Sequence, residues 1–209
     1  MIDDMEYHII GWHRILTSLG NNFTLEKTRQ ECYGKNHEFL ERMLPGVFSF
    51  EEKDRMSLEK EKIYQQEFRS HLKLIDGLEE FLYATREQCI KTAIGSAAIR
   101  FNVDFVLDGL SLHSLFDAVI TANEVTQSKP HPETFLNCTE ALNVYPKDCL
   151  VFEDMPKGVE AARNASMDCI VITTLHCPKE FSVYKNIICY IDNYSDDKLS
   201  ELLCQKKRA

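Results

Sequence analysis

Apolar residues recur at helical spacing through the first part of the chain. They return every three or four positions in Met5–Leu19, and a shorter pattern of the same kind follows in Thr24–Tyr33. The segment Ser57–Leu72 presents one apolar face on an otherwise charged helix. No strand pattern occurs before residue 89. The spacing therefore predicts a compact helical lobe over residues 1–74.

After this lobe, apolar runs of strand length alternate with helical patterns. The helical patterns include Leu78–Thr85, Pro132–Leu142 and Gly158–Ala165. Such alternation is typical of a parallel sheet with crossover helices, so we predict an α/β core over residues 75–209. Its strands are predicted at Cys89–Gly95, Ala118–Ala122, Leu150–Glu153, Cys169–Thr173 and Ile187–Ile191.

Composition and charge narrow the class of protein. A length of 209 residues and a hydrophobic content of 44% suit one domain with a small additional lobe. A net charge of −9 argues against a nucleic-acid surface, which needs clustered Lys and Arg. The chain has no apolar run of ~18 residues that could span a membrane, and no signal segment. Its 8 cysteines form no Cys-x-x-Cys pair, so we expect a protein of the reducing cytoplasm.

Two adjacent carboxylates follow the third predicted strand. Glu153 and Asp154 precede a turn that contains Pro156 and Gly158, and a helix of small residues comes next. Ligands of open parallel sheets bind at the carboxyl ends of the strands. Mg²⁺ takes one or two carboxylates together with phosphate oxygens. The pair therefore predicts a metal site, and an acid that caps a helix N-terminus is the alternative.

Two other strand ends carry groups that suit a phosphate. Ser96 follows the first predicted strand just before a helical segment, where its hydroxyl and backbone N–H groups can bind an anion, although a plain helix cap is the alternative. Lys129 lies in a Ser-Lys-Pro-His-Pro stretch of restricted backbone, so its ammonium can be aimed at a phosphate or a carboxylate nucleophile. An exposed loop lysine is the alternative there. Hydroxyl, lysine and acid pair together predict a Mg²⁺ and phosphate site at one edge of the sheet.

With these motifs, the chain resembles the haloacid dehalogenase superfamily of phosphotransferases, specifically its β-phosphoglucomutase-like group. Ser96 matches the family's strand-end Ser or Thr, and Lys129 matches the Lys of its Lys-Pro-x-Pro stretch. Glu153 and Asp154 match its acidic pair. The resemblance implies a Rossmann-like parallel core with a small helical cap, Mg²⁺ as cofactor and a small phosphorylated metabolite such as a sugar phosphate as substrate. It assigns phosphate binding to Ser96, the adjacent Ala97 and Lys129, with Ser96 and Lys129 as catalytic residues.

The helical lobe resembles the cap of the same family. Asp3 and His8 lie in a stretch, residues 1–8, that resembles the hinge before the first cap helix. His37 stands where the mutases carry an Arg that grips a distal phosphate, and Lys60 resembles a cap lysine that contacts substrate. The alternatives are that His37 is a surface loop residue and that Lys60 is a solvated charge on a helix. A His in place of Arg weakens the mutase interpretation, because a bidentate phosphate grip is lost.

The family's first motif, Asp-x-Asp-Gly-Thr, has no match in this chain. By resemblance, the first Asp of this motif is the nucleophile that forms an aspartyl phosphate, and the second is the general acid and base. The strand that carries the motif is the middle of the family's sheet and lies between the strands that end at Ser96 and Asp154. Without that strand, buried backbone groups would stay unpaired at ~1–3 kcal/mol each.

Two interpretations of the missing motif remain open at this point. We expect a truncated gene product or a mis-assigned start, so that this chain is inactive and the full-length parent is the phosphatase or phosphomutase. The alternative is a catalytically dead member of the family that binds a phosphometabolite or a protein partner.

Overall fold

The computed structural model describes residues 1–205, and its amino-terminal part is a lobe of helices. Apolar faces at helical spacing pack these helices together around Trp12, Leu16 and Phe39, which are almost fully buried. The rings of Trp12 and Phe39 lie 4.7 Å apart between centroids. The helices are α1 (Met5–Ser18), α2 (Leu25–Glu31), α3 (Asn36–Met43) and α4 (Phe50–Phe68). A helical lobe is thus confirmed, while its boundary at residue 74 stays a prediction.

Helix α4 begins seven residues before the predicted start at Ser57. Ser49 forms a capping box: its hydroxyl accepts a hydrogen bond from the N–H of Glu52 at 3.2 Å, and the Glu52 carboxylate accepts one from the N–H of Ser49 at 2.8 Å. The first two turns are mostly charged, so apolar spacing alone did not reveal them. Helix α3 was not predicted either.

The second part of the chain alternates strands and helices, as the sequence predicts. Helices α5 (Leu78–Glu87), α6 (Arg100–Leu110), α7 (Glu133–Leu142), α8 (Pro156–Asn164) and α9 (Asp197–Gln205) accompany the strands. The strands are β1 (Ala93–Gly95), β2 (Ala118–Ile120), β3 (Leu150–Glu153), β4 (Asp168–Ile172) and β5 (Ile187–Ile191). Strand β1 is shorter than predicted because Cys89 takes a positive φ of 55° and its N–H bonds the carbonyl of Arg86, which makes it a helix exit.

All recorded strand pairs are parallel, but the strands form two sheets instead of one. One sheet contains β1 and β2, with Ala93 opposite Ala118. The other has the order β3-β4-β5, with Leu150 opposite Asp168. A cavity of about 1080 Å³ is lined by both β1 and β3 and opens toward the helical lobe. The α/β class is confirmed, and the predicted sheet is divided at this cavity.

Helices cover both faces of the three-stranded sheet. Ile170 and Ile172 of β4 face α5, α6 and α9, while Cys169 and Val171 face α7 and α8. Because β4 lies between two strands and under helices on both sides, four consecutive apolar residues are buried in it. Within residues 1–205, no helix combines the length and the apolar character that a membrane span requires.

We predict that Ser49→Ala lowers the free energy of unfolding by about 1 kcal/mol, because the first turn of α4 loses its side-chain acceptor. Ser49→Gly should lower the free energy of unfolding by only a few tenths of a kcal/mol, since glycine also suits the position before a helix. Urea unfolding of both variants checks this. An unchanged free energy of unfolding in Ser49→Ala would show that the capping box does not stabilise α4.

Candidate active site

Lys129 lies where the carboxyl ends of β1 and β3 come together. Its ammonium donates a hydrogen bond to the carbonyl of Gly95 at 3.0 Å and forms an ion pair with the Glu153 carboxylate. The ammonium also lies 4.5 Å from the centre of the Phe135 ring, which favours a cation. The side chain is only 13% exposed. Lys129 is therefore a largely buried positive charge that is held in place, and not an exposed loop lysine.

Ser96 begins the turn that leads from β1 toward α6. Its N–H bonds the carbonyl of Ile120, and its hydroxyl oxygen accepts the N–H of Ala98 at 3.0 Å. This contact closes a turn within the loop and is not a helix cap, because the N-cap residue of α6 is Ile99, which has no side-chain cap hydrogen bond. The hydroxyl hydrogen can still be donated to an anion, and both Ser96 and Ala97 line the cavity.

Glu153 and Asp154 lie at the end of β3, in the same cavity. One Glu153 oxygen pairs with Lys129, and the other accepts the backbone N–H of Asp154 at 3.3 Å. Burial, followed by the neighbouring Glu153 carboxylate, raises the pKa of Asp154 to about 6. The amino group of Met1 and Lys129 act in the opposite direction. Asp154 is therefore a carboxylate in a site that favours the approach of a cation.

Gly158 explains how Glu153 fits at the start of α8. A Cβ on Gly158 would overlap with the carboxylate of Glu153. The glycine thus leaves the space in which this carboxylate turns toward Lys129. Among residues 1–205, no group of three His, Cys, Asp or Glu side chains comes together as a metal-binding cluster, so the acid pair supplies two potential ligands and no third.

A second polar cluster lines the cavity from the side of the helical lobe. The Lys60 ammonium lies 2.6 Å from Glu61 Oε1 and 3.0 Å from His8 Nδ1, and 5.3 Å above the Trp12 ring. Glu61 also accepts hydrogen bonds from Asn36, at 2.8 Å, and from Asn102 of the core. Burial opposes ionisation, but Lys60 and His8 hold the pKa of Glu61 below its ordinary value.

Asp4 and Tyr64 complete this cluster near the amino terminus. The Tyr64 hydroxyl donates to Asp4 at 2.7 Å, and the His8 ring stacks on Tyr64 with centroids 4.0 Å apart. Burial works against the Asp4 charge, yet the interaction with His8 lowers the pKa of Asp4. Residues Asp4 and His8 are therefore held to α4 by charged and aromatic contacts together.

The structure brings most of the predicted site residues into one cavity and leaves two outside it. Asp3 is exposed and does not line the cavity. His37 also lies outside: its Nε2 is 2.7 Å from Asp54, and its ring packs on Phe50 with centroids 4.6 Å apart. The substrate role of His37 and the hinge role of Asp3 stay predictions. The residues that do line the cavity are Ser96, Ala97, Lys129, Glu153, Asp154, Lys60 and His8.

Sequence reasoning missed Glu61, Asn36 and Asn102. A signal existed for Glu61, because it shares a helical face with Tyr64 and Phe68, three and seven positions later. A charged residue on an apolar face indicates a buried partner. Asn36 and Asn102 come from distant segments and had no such signal.

Comparisons with known proteins identify the family of this chain. The model of the haloacid dehalogenase-like hydrolase family matches residues 3–172. A phosphorylated carbohydrates phosphatase of Thermotoga maritima is 28% identical over 171 residues, which cover 80% of this chain and 78% of that protein. A fructose-1-phosphate phosphatase of Escherichia coli is 40% identical over 83 residues, which cover 40% of this chain and 44% of that protein.

Solved structures support the fold. A β-phosphoglucomutase from Clostridium difficile superposes with a TM-score of 0.80 at 24% identity, over 97% of this chain and 92% of that one. A family IA hydrolase from Entamoeba histolytica gives a TM-score of 0.84 at 22% identity, over 98% and 95% of the two chains. At these identities the likeness concerns the fold.

We predict that Gly158→Ala destabilises the protein by ~1–3 kcal/mol, because the new methyl group displaces the Glu153 carboxylate from Lys129. Gly11→Ala is the matched control in α1, since a Cβ there meets ordinary contacts of 3.4 to 3.8 Å with Lys60. That control should be neutral or slightly stabilising, because alanine favours a helix. Urea unfolding of both variants provides the measurement, and equal effects would contradict the close fit of Glu153 against Gly158.

Glu61→Ala should lower the free energy of unfolding by ~3–5 kcal/mol at neutral pH, because the buried Lys60 ammonium loses its carboxylate partner. Glu59→Ala, on the exposed side of the same helix, should change it by no more than ~0.5 kcal/mol. A carboxylate with a lowered pKa stabilises the fold above its unfolded pKa and loses this effect as the pH falls through its folded pKa. The difference in the free energy of unfolding between wild type and Glu61→Ala should therefore narrow only below a pH of about 4. A gap that is small at neutral pH would contradict a stabilising Lys60–Glu61 pair.

Proposed function

Since this chain belongs to the haloacid dehalogenase-like hydrolase family, a family of hydrolases and phosphotransferases, we propose that its site serves Mg²⁺-dependent phosphoryl transfer from a small phosphorylated metabolite. The proposal rests on one observation above all. Lys129 joins the carboxyl ends of β1 and β3, with Ser96 beside one of them and Asp154 beside the other. The proposed substrate is a sugar phosphate, and the proposed reaction is its hydrolysis.

Ser96 and Lys129 are the proposed phosphate-binding residues. The Lys129 ammonium supplies positive charge, and the Ser96 hydroxyl and the N–H of Ala97 supply hydrogen-bond donors. Such donors stabilise the charge that develops on phosphate oxygens as the bond to the leaving group breaks. Because Lys129 is held by Gly95 and Glu153, it needs little reorganisation when the substrate arrives.

Glu153 and Asp154 are the proposed Mg²⁺ ligands. The raised pKa of Asp154 supports this, since a divalent cation would relieve both the burial of this carboxylate and its repulsion from Glu153. Hard carboxylate oxygens suit Mg²⁺. When bound, the ion would neutralise charge on the phosphate oxygens. With two protein carboxylates and no third, binding of the ion by this chain alone should be weak.

The proposed sugar phosphate is supported by the polar cluster on the lobe side and by the relatives. The T. maritima protein is named for phosphorylated carbohydrates and the E. coli protein for fructose 1-phosphate. In this chain, His8, Asn36, Lys60 and Glu61 line the cavity opposite Lys129. Such donors and acceptors are suited to the hydroxyl groups of a sugar.

Charge balance in the lobe favours a phosphatase over a mutase. A mutase must hold a second phosphate, which calls for a further cation. Lys60 is already neutralised by Glu61, and Lys35 donates to the carbonyl of Val125. His37 pairs with Asp54 outside the cavity. The described lobe thus offers the cavity no uncompensated cation for a distal phosphate.

The nucleophile must come from outside the residues described here, in our proposal. Four carboxylates of the cavity already have roles: Glu61 pairs with Lys60, Glu153 with Lys129, Asp4 accepts from Tyr64, and Asp154 is a proposed Mg²⁺ ligand. In the proposed reaction, an aspartate on a strand between β1 and β3 attacks phosphorus, the alcohol leaves, and water hydrolyses the aspartyl phosphate. We propose that residues 1–205 alone are inactive.

The same observation favours a second candidate function. A chain with the phosphate-binding groups but without a placed nucleophile could be a binding protein for phosphometabolites. As for compartment, no disulfide bond joins the cysteines whose side chains are described, which supports our proposal of a reducing cytoplasm.

Hydrolysis of p-nitrophenyl phosphate with Mg²⁺ tests the proposal. We expect no turnover above background for this chain, and turnover once a strand ending in Asp-x-Asp is joined before Met1. In that extended protein, Lys129→Ala should lower kcat/KM at least 100-fold, about 2.7 kcal/mol of transition-state stabilisation. Lys185→Ala, at an exposed lysine, is the matched control and should leave the rate unchanged.

Two results would contradict parts of this proposal. Turnover by the unextended chain would show that a nucleophile is already present. No turnover by a folded extended protein that still binds phosphate would favour the binding protein.

A further inference from the structure

We propose that Asn102 and Glu61 form a latch that holds the helical lobe closed on the α/β core. Asn102 lies in α6 of the core and Glu61 in α4 of the lobe, and the Asn102 amide donates a hydrogen bond to the Glu61 carboxylate. When this hydrogen bond breaks, the lobe turns away from the core about the other end of the contact between α4 and α6. The inference concerns the motion of the lobe and does not depend on phosphoryl transfer.

The Glu61 carboxylate is the acceptor of the latch, and it is almost fully buried. Its Oε1 accepts hydrogen bonds from the Lys60 ammonium at 2.6 Å and from the Asn36 amide at 2.8 Å. Its Oε2 accepts the hydrogen bond from Asn102. Lys60 and Asn36 belong to the lobe, so the Asn102 amide ties this carboxylate to the core. A hydrogen bond to a charged acceptor is about twice as strong as one between neutral groups.

Asn102 is held in one orientation by two residues of α4. Its amide nitrogen donates to Glu61, and its side-chain oxygen accepts from Gln65 Nε2 at 3.0 Å. Gln65 also donates to the carbonyl of Phe101 at 3.1 Å. Glu61 and Gln65 lie on one face of α4, because residues four positions apart are neighbours on a helix surface. The buried Asn102 side chain therefore fits one position of the lobe, and any other position costs it a hydrogen bond.

The contact between α4 and α6 changes from polar to apolar toward the linker that follows α4. One turn beyond the latch, Tyr64 packs on Phe105 with ring centroids 6.1 Å apart. Farther along, Leu72 of the linker lies against Gly109, where a Cβ would overlap with the Leu72 side chain. The polar end of the contact is thus far from the linker, and the end where Leu72 meets Gly109 is beside it.

This order defines a pivot and a lever. The linker joins the lobe to the core beside Leu72, so the lobe moves least there. Asn102 lies seven residues from Gly109 along α6, about 10 Å at a rise of 1.5 Å per residue. Apolar contacts are non-directional and tolerate small rotations, whereas a hydrogen bond weakens steeply when its angle changes. A rotation of the lobe about Leu72 therefore breaks the hydrogen bond between Asn102 and Glu61 first.

The latch also keeps Trp12 covered. A Cβ on Gly11 of α1 would lie 3.4 Å from the Lys60 side chain, and the Lys60 ammonium lies 5.3 Å from the centre of the Trp12 ring. Glu61 holds that ammonium in place. Trp12 is almost fully buried and lines the cavity between lobe and core, so opening of the lobe exposes it to solvent. Since the chain has one tryptophan, its fluorescence reports the position of the lobe.

Acrylamide quenching of Trp12 fluorescence in the whole chain tests the latch. Asn102→Asp places a second carboxylate against Glu61, and like charges repel. This variant should raise the ratio of open to closed protein at least tenfold, about 1.4 kcal/mol, and should raise the quenching constant with it. Asn22→Asp makes the same change at an exposed asparagine of the lobe and should leave the quenching constant unchanged.

A double variant separates the latch from a general loss of stability. Glu61→Gln together with Asn102→Asp exchanges the amide and the carboxylate, so the hydrogen bond between positions 61 and 102 forms again with the donor on α4. The acceptors for Lys60, Asn36 and Gln65 are kept, and the negative charge stays in the same cluster. The quenching constant should return toward that of the wild type, because the two substitutions compensate each other only through their direct contact.

A milder variant keeps the test decisive if Asn102→Asp does not fold. Gln65→Ala removes the neutral hydrogen bonds to Asn102 and to the Phe101 carbonyl from a half-buried position. It should raise the ratio of open to closed protein about threefold, with a matching rise in quenching.

Three outcomes would overturn the proposal. The first is a folded Asn102→Asp protein with the quenching constant of the wild type. The second is a double variant that acrylamide quenches as strongly as it quenches Asn102→Asp. The third is unchanged quenching in Gln65→Ala. Each would show that the polar end of the contact does not hold the lobe on the core.

Discussion

The site depends on one buried charge, the ammonium of Lys129. It is shared between the carbonyl of Gly95 and the carboxylate of Glu153, which belong to different sheets. Removal of one partner from a buried ion pair leaves the other uncompensated, which is strongly unfavourable. Lys129 therefore holds the two halves of the α/β core in register at their carboxyl ends. The same contact places a positive charge where strand ends bind ligands in parallel sheets.

Charges on the two sides of the cavity are balanced in different ways. On the lobe side, Lys60 and Glu61 neutralise each other within a cluster that includes His8. On the core side, Lys129 neutralises the carboxylate of Glu153, and the second carboxylate, Asp154, has a raised pKa. A phosphate with a divalent cation would complete the core side. A neutral, hydroxyl-rich group would suit the lobe side, and this asymmetry is why we propose hydrolysis of a monophosphate.

Sequence patterns predicted those features that follow from local rules. Strands β3 and β5 were predicted with their observed bounds, because each is a short, mainly apolar run. The meeting of Ser96, Lys129 and Asp154 followed from the rule that parallel strands share one carboxyl edge. It was harder to predict which residues of α4 are buried. The apolar pattern predicts a buried Leu58, but Leu58 is 41% exposed and Glu61 is only 2% exposed. That choice depends on Asn36 and Asn102 from distant segments, which no local pattern reveals.

The central claim is that Ser96, Lys129 and Asp154 form one phosphate and magnesium site, and an NMR titration with inorganic phosphate and Mg²⁺ tests it most directly. Our account predicts saturable shifts that are concentrated at the amides of Ser96, Ala97 and Asp154 and at the Lys129 ammonium, with each ligand strengthening the effect of the other. Shifts that avoid these groups, or that cluster around His37 and Asp54 on the outer side of the lobe, would contradict it.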